Sequence, residues 1–162
     1  TRLKDSGTYT GSLVIAGKRG WSTAAFDAAL RAHRYRQNIL LTSYVSAEEK
    51  FALYRLADLF LYLSVYEGFG FPPLEAALSG TPVIAGHHSS VSEVMGGGAL
   101  LVDVYNTYDV VHAAQALLTL PNIRVTLQQQ SRELQERYRW DRAARQTLDV
   151  LEEAAHITAT RS

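Results

Sequence analysis

The chain has 162 residues, 47% hydrophobic and 20% charged, the composition of one ordinary globular domain. Lys+Arg and Asp+Glu both number 16, and zero net charge excludes the basic footprint of a nucleic-acid binder. The absence of cysteine excludes disulfides and Cys-based metal sites, and no apolar run approaches the roughly 20 residues of a membrane-spanning helix.

Residues 1–11 are polar, lack a signal-peptide core and read as a flexible lead-in, so cytoplasmic residence is expected. Ser12 to Ala16 is a short apolar run ending at Gly17, which predicts a strand buried on both faces. A helix follows over about Thr23 to Arg34, then a strand over Asn38 to Leu41. Ser46 and Glu49 have capping-box spacing and open a helix to about Ala57. Leu59 to Leu63 is the next strand. Pro72 and Pro73 precede a helix to Leu78, with Gly80 as its stop. Pro82 to Ala85 is another strand. Ser90 and Glu93 repeat the capping-box spacing for a short helix, Gly96 to Gly98 break it, and Ala99 to Val102 is the last strand. From Thr107 to about Ala155 the pattern is helical and amphipathic, with breaks near Pro121 and Trp140, and these helices are expected to cover the core. Residues 158–162 read as a frayed tail.

Short apolar strands alternating with helices predict an α/β, Rossmann-like three-layer fold, a parallel sheet with helices on both faces, as one domain over residues 1–162. Such sheets bind ligands at the carboxyl ends of their strands. The informative turn is Ser64 to Glu75, between a strand and a helix, where an anion can meet backbone amides. Gly68 and Gly70 let the backbone approach a ligand closely, so the amides of Phe69 to Phe71 can face phosphate or sugar oxygens. Glu67 and Glu75 offer paired acceptors that suit vicinal hydroxyls. Each feature alone also has a structural explanation: Glu in a first turn suits the helix dipole, and Gly-Phe-Gly can be a plain turn.

Taken together, Glu67 to Glu75 match the E-x7-E motif, in the form E-G-F-G-x-P-x-x-E, and the chain resembles the retaining glycosyltransferases of family 4. The likeness continues through Glu75 to Ala85, Ser89 to Val94 and Gly98 to Asp103. Leu13 to Trp21 resembles the family's strand and glycine loop, and Tyr44 to Lys50 the stretch around its base-binding loop. Arg139, Trp140, Asp141 and Ala144 resemble its closing helices. The resemblance implies the C-terminal, donor-binding half of a GT-B fold. It places Glu75 on the donor ribose and Glu67 beside the donor hexose as the catalytic carboxylate. Gly68, Phe69, Gly70 and Phe71 would present amides to sugar hydroxyls and diphosphate. Val45, with Tyr44 and Lys50, would border the base, and Lys18 and Arg19 could face the nucleotide or form a solvated turn.

The implied reaction moves a hexose, mannose or glucose, from GDP-mannose or UDP-glucose to a glycan or lipid-linked acceptor, with retention. No metal and no cofactor are implied. His87 and His88 invite a metal reading, but adjacent residues on one element rarely converge on an ion. A nicotinamide-dependent dehydrogenase is disfavoured, because Gly17-Lys18-Arg19-Gly20 lacks the G-x-G-x-x-G spacing. Glu67 and Glu75 sit in one loop-helix unit, unlike a glycosidase pair flanking the bond. A non-catalytic nucleotide-sugar-binding or scaffold module is the alternative. Arginines from Arg124 to Arg145 are interspersed with acids and read as a solvated face, leaving membrane contact to the parent protein.

The resemblance also implies that the family's first strand and its phosphate-gripping Arg and Lys lie before Thr1, and that the acceptor-binding N-terminal domain is absent. The chain alone is then expected to be inactive. A central strand missing from the order 3-2-1-4-5-6 leaves edges to cover, which predicts a rearranged sheet, self-association or a longer native protein.

Overall fold

The computed structural model describes residues 1–159. Strands β1 (Leu13–Ile15), β2 (Ile39–Leu41), β3 (Phe60–Tyr62), β4 (Val83–Gly86) and β5 (Leu100–Val102) alternate with helices. The helices are α1 (Arg2–Asp5), α2 (Ala24–Ala32), α3 (Ala47–Leu56), α4 (Phe71–Leu78), α5 (Ser90–Met95), α6 (Thr107–Thr119), α7 (Pro121–Arg137) and α8 (Trp140–Ala159). Pro121 opens α7 at its first position, where the missing N–H costs nothing, and α8 begins at Trp140. Thr158 and Ala159, expected to fray, close α8, and residues 160–162 lie outside the described residues.

All strand pairs are parallel, in two sheets. β1 pairs with β2, and β3, β4 and β5 pair in that order. The core sits around β4, whose side chains alternate between two helical layers, as a two-residue period requires. Val83 and Ala85 join Leu74, Ala76 and Ala77 of α4, Val91, Val94 and Met95 of α5, and Leu134 of α7. Ile84 faces the other way, toward Val102, Ala114 and Leu117 of α6, and Leu127 of α7. Leu3 of α1 packs against this second cluster. Residues 1–11, expected as a flexible lead-in, thus carry a helix, and Tyr9 donates from its hydroxyl to Asp58 at 3.1 Å.

Three expectations need correction. β1 is not buried on both faces: Leu13, Val14 and Ile15 are 44%, 40% and 37% exposed. The physical reason is its pairing, since among the described residues only β2 lies beside it and no strand pairs with its other edge. The sheet has not closed up across that edge either, because β1 and β3 stay in separate sheets. Third, α8 does not cover the core; residues 140–156 are all exposed, with Leu148 at 54% and Leu151 at 62%. Its apolar stripe faces outward, so amphipathic spacing did identify the helix but not a partner for it.

These burials separate two kinds of leucine and isoleucine. Ile84→Ala removes wholly buried side-chain volume and is expected to cost about 2–5 kcal/mol of unfolding free energy. Leu148→Ala on α8 is expected to change stability by no more than about 0.5 kcal/mol. Urea midpoints at an unchanged m-value check both; equal losses would place α8 in the core after all.

Candidate donor-binding site

The Glu67–Glu75 turn runs from the carboxyl end of β3 into α4, the position expected of it. Gly70 is the residue before α4 and has φ +93°, a left-handed conformation that a side chain disfavours. A Cβ there would also lie 3.0 Å from Val91 Cγ2, so the turn packs directly on α5. Pro72 and Pro73 occupy the first turn of α4, where helical N–H groups have no internal acceptor. Gly86 at the end of β4 makes a second close approach, since a Cβ there would sit 2.8 Å from the Ser64 carbonyl. The ends of β3 and β4 therefore meet beside this turn.

Glu75 is held from α3. Lys50 Nζ donates to Glu75 Oε1 at 2.8 Å and lies 2.8 Å from Oε2. Tyr54 donates its hydroxyl to Oε2 at 3.2 Å. α3 is fixed for this task by the capping box foreseen at Ser46 and Glu49: the Glu49 N–H donates to Ser46 Oγ at 3.2 Å, and the Ser46 N–H to Glu49 Oε2 at 2.7 Å. Tyr54 is buried against Phe60, ring centroids 5.2 Å apart and nearly perpendicular. Burial and the neighbouring Glu75 charge raise its phenol well above the usual range. Tyr54 therefore remains a hydrogen-bond donor to Glu75 throughout physiological pH.

Glu67 is held differently. The phenol of Tyr62 and then the hydroxyl of Ser64 keep its carboxyl below the usual carboxylate range, while Ser64 Oγ donates to the Tyr66 carbonyl at 3.2 Å. Burial and Glu67 itself raise the Tyr62 phenol, so Tyr62 also stays a donor. The Glu67 backbone is tied to the segment before α5. Its N–H donates to Ser89 Oγ at 3.0 Å, and Ser90 Oγ donates to its carbonyl at 2.8 Å. Ser90 and Glu93 thus do not form the expected capping box; Ser90 is the first residue of α5, and its hydroxyl is used on Glu67 instead. Ser89 has φ +56° and ψ −152°, a region occupied essentially by glycine.

The remaining expected residues spread around the turn. Phe69 packs edge-on against Tyr138, centroids 5.6 Å apart, and lies 4.6 Å from the more exposed Phe71 ring. Gly68 is exposed, and none of the described residues accepts from the backbone amides of Gly68, Phe69 or Gly70. Lys18 sits 5.9 Å from the Tyr44 ring centroid, which links the loop after β1 to the loop after β2. Arg19 turns back onto Asp27 and Thr23 of its own loop-helix unit. Val45 is half-buried beside the exposed Tyr44. A cavity of about 220 Å³ opens beside Lys18 and Arg19, between the ends of β1 and β2. His87 Nδ1 lies 2.9 Å from the Val102 carbonyl, and its ring lies tilted at 37° against His88, centroids 4.0 Å apart. A hollow of about 600 Å³ between α7 and α8 is lined by Arg132, Glu133, Glu136, Arg137 and Arg142, none of them in the turn.

Tyr54, Tyr62, Ser64, Ser89 and Ser90 were not singled out from the sequence as parts of a site. The two tyrosines lie in stretches that read as plain helix and strand. The serines carry a signal, two hydroxyls just after an apolar strand, but cap spacing explained it more cheaply.

Residues 2–134 match the model of the family described as glycosyl transferases group 1. The chain is similar to the O-antigen chain mannosyltransferase B of Escherichia coli, 36% identical over 101 residues, 62% of this chain and 26% of that protein. It is similar also to the D-inositol 3-phosphate glycosyltransferase of Saccharomonospora viridis, 35% identical over 63% of this chain and 24% of the relative. The chain thus spans about a quarter of the length of these curated relatives. Among solved structures, sucrose-phosphate synthase of Thermosynechococcus elongatus superposes with a TM-score of 0.79 at 22% identity, over 91% of this chain and 39% of that one. Anabaena HepE in complex with UDP and glucose gives 0.76 at 15%, over 93% and 44%. These structural neighbours share the GT-B fold.

Because hydrogen bonding depresses the Glu67 pKa in the fold, this group stabilises the fold above its unfolded pKa, and that contribution fades as pH falls through the folded value. Tyr62→Phe removes the first cause, so the Glu67 carboxyl is expected to titrate at a higher pH in an NMR-detected titration. An unchanged titration would remove Tyr62 as its donor.

Proposed function

This chain belongs to the group 1 glycosyl transferases, and we propose that it is the donor-binding domain of a retaining hexosyltransferase. The observation that carries the reading is the paired support of Glu67 and Glu75 at one strand-to-helix turn. A ribose diol needs an oriented acceptor, and Glu75 is oriented by Lys50 and Tyr54. A hexose needs acceptors and donors along one edge, and Glu67 with the amides of Gly68, Phe69, Gly70 and Phe71 supplies them. Tyr44, Val45 and Lys50 border the base, and Lys18 stands nearest the diphosphate side, whereas Arg19 would have to leave Asp27 to join it.

In this reaction the acceptor hydroxyl approaches the anomeric carbon on the face from which the diphosphate departs. Its oxygen bonds to that carbon as the bond to the diphosphate oxygen breaks, and its proton passes to the departing phosphate oxygen. Positive charge develops on the sugar and negative charge on the leaving group. An ionised Glu67 beside the hexose stabilises the first, and fixed amide donors stabilise the second. We place no metal in this step. The similarity to mannosyltransferases supports mannose as the hexose and GDP-mannose as the donor; the neighbour solved with UDP and glucose keeps UDP-glucose beside it. The acceptor, a glycan or lipid-linked sugar, would be held by a further domain that supplies the rest of the cleft, and this chain alone would bind donor without transferring it. The free edge of β1 is where a further strand or a second copy would pair. None of the helices described is long and apolar enough to cross a membrane; we place the domain in the cytoplasm, at the inner membrane face if the acceptor is lipid-linked.

Calorimetric titration with GDP, UDP and ADP, with and without Mg²⁺, tests the reading. Metal-independent binding of one of them is expected, with Glu75→Ala weakening it about ten- to a hundredfold, the cost of losing one charge-assisted hydrogen bond. Binding that survives Glu75→Ala unchanged would remove the ribose role.

A further inference from the structure

The two carboxylates of the turn are supported by two different elements. Glu75 depends on α3, through Lys50 and Tyr54. The Glu67 backbone depends on the segment that opens α5, through Ser89 and Ser90. Resting on the donor-domain reading above, we propose that Ser89 and Ser90 are positioning residues that set the hexose half of the site separately from the nucleotide half.

Ser89 holds a backbone conformation that an L-residue rarely adopts. Its φ of +56° with ψ −152° is a conformation that glycine adopts most cheaply. A serine kept there has a use for its side chain, and the use is visible: Ser89 Oγ accepts the Glu67 N–H at 3.0 Å. One residue on, Ser90 Oγ donates to the Glu67 carbonyl at 2.8 Å. Glu67 is therefore gripped through the peptide groups on both sides of its Cα, and the following residue is an exposed glycine with no side chain to brace it. At Gly70 the turn rests on Val91 of the same helix, so α5 supports both ends of the Glu67–Gly70 segment. None of these contacts reaches Glu75.

The experiment measures, on the 162-residue chain, the affinity for GDP and for GDP-mannose, and for UDP and UDP-glucose, together with hydrogen exchange of the Glu67 amide. Ser89→Gly keeps the backbone conformation available and removes the hydroxyl; Ser90→Ala removes the second grip and serves if the first variant fails to fold. Both are expected to speed exchange of the Glu67 amide and to lower the ratio of sugar-nucleotide to nucleotide affinity about threefold to tenfold. Lys50→Met is expected to weaken both ligands together and leave that ratio at its wild-type value. A ratio unchanged in both serine variants, with wild type binding both ligands, would overturn this inference and leave the donor reading standing. No binding by wild type would overturn the donor reading and this inference with it.

Discussion

β4 sets the register on which β3 and β5 depend. Val83, Ile84 and Ala85 are wholly buried, and their parallel pairing aligns Phe60–Tyr62 on one side and Leu100–Val102 on the other. Because the side-chain period is two, a one-residue slip would turn Ile84 into the α4–α5 layer and Val83 into the α6 layer, exchanging large for small volumes. That register fixes where the strand ends lie. It brings Gly86 against the Ser64 carbonyl, and it delivers Ser89 and Ser90 beneath Glu67. The chemistry of the turn is a consequence of strand alignment in the core.

The turn itself is short of side chains and rich in backbone. Gly68 is exposed, the amides of Gly68 and Gly70 have no acceptor among the described residues, and Pro72 and Pro73 fix the start of α4 without offering competing donors. What would be a mobile loop is braced from both flanks, by α3 on the Glu75 side and by α5 on the Glu67 side. Two phenols, Tyr54 and Tyr62, stand behind the two carboxylates, and Phe60 packs between them, 5.2 Å from one ring and 6.2 Å from the other. Both phenols are held protonated by burial and by the acids they serve. The carboxylates are thus oriented before any ligand arrives, which lowers the ordering cost of binding.

Element type and order were legible in the sequence because apolar runs and capping signals are local. Ser46–Glu49 formed its box, and the breaks at Pro121 and Trp140 fell where the pattern placed them. Burial was less legible, because it depends on partners that a run of residues does not name. Leu13 to Ile15 look like a core strand yet lie in a two-stranded sheet, and α8 has the spacing of a packed helix with its apolar stripe in solvent. Within the candidate site, Glu67, Glu75 and Lys50 could be named from the motif and the resemblance, whereas the Lys50 contact with Glu75 and the parts of Tyr54, Ser89 and Ser90 arise only through tertiary contacts, 21 and 25 residues away for α3 and 22 and 23 for α5. Ser90 also shows how local rules mislead: its spacing to Glu93 suited a cap, but the carbonyl of Glu67 was the nearer use for its hydroxyl.

We propose that a nucleoside-diphosphate sugar lies along the Glu67–Glu75 turn. An amide chemical-shift map of the chain titrated with GDP-mannose, and with UDP-glucose in parallel, tests it most directly. The account predicts that the largest shifts fall on Glu67 to Phe71 and on Glu75, with smaller ones at Lys18 and at Tyr44 to Lys50. Shifts centred instead on the hollow lined by Arg132, Glu136 and Arg142, with the turn unmoved, would contradict it.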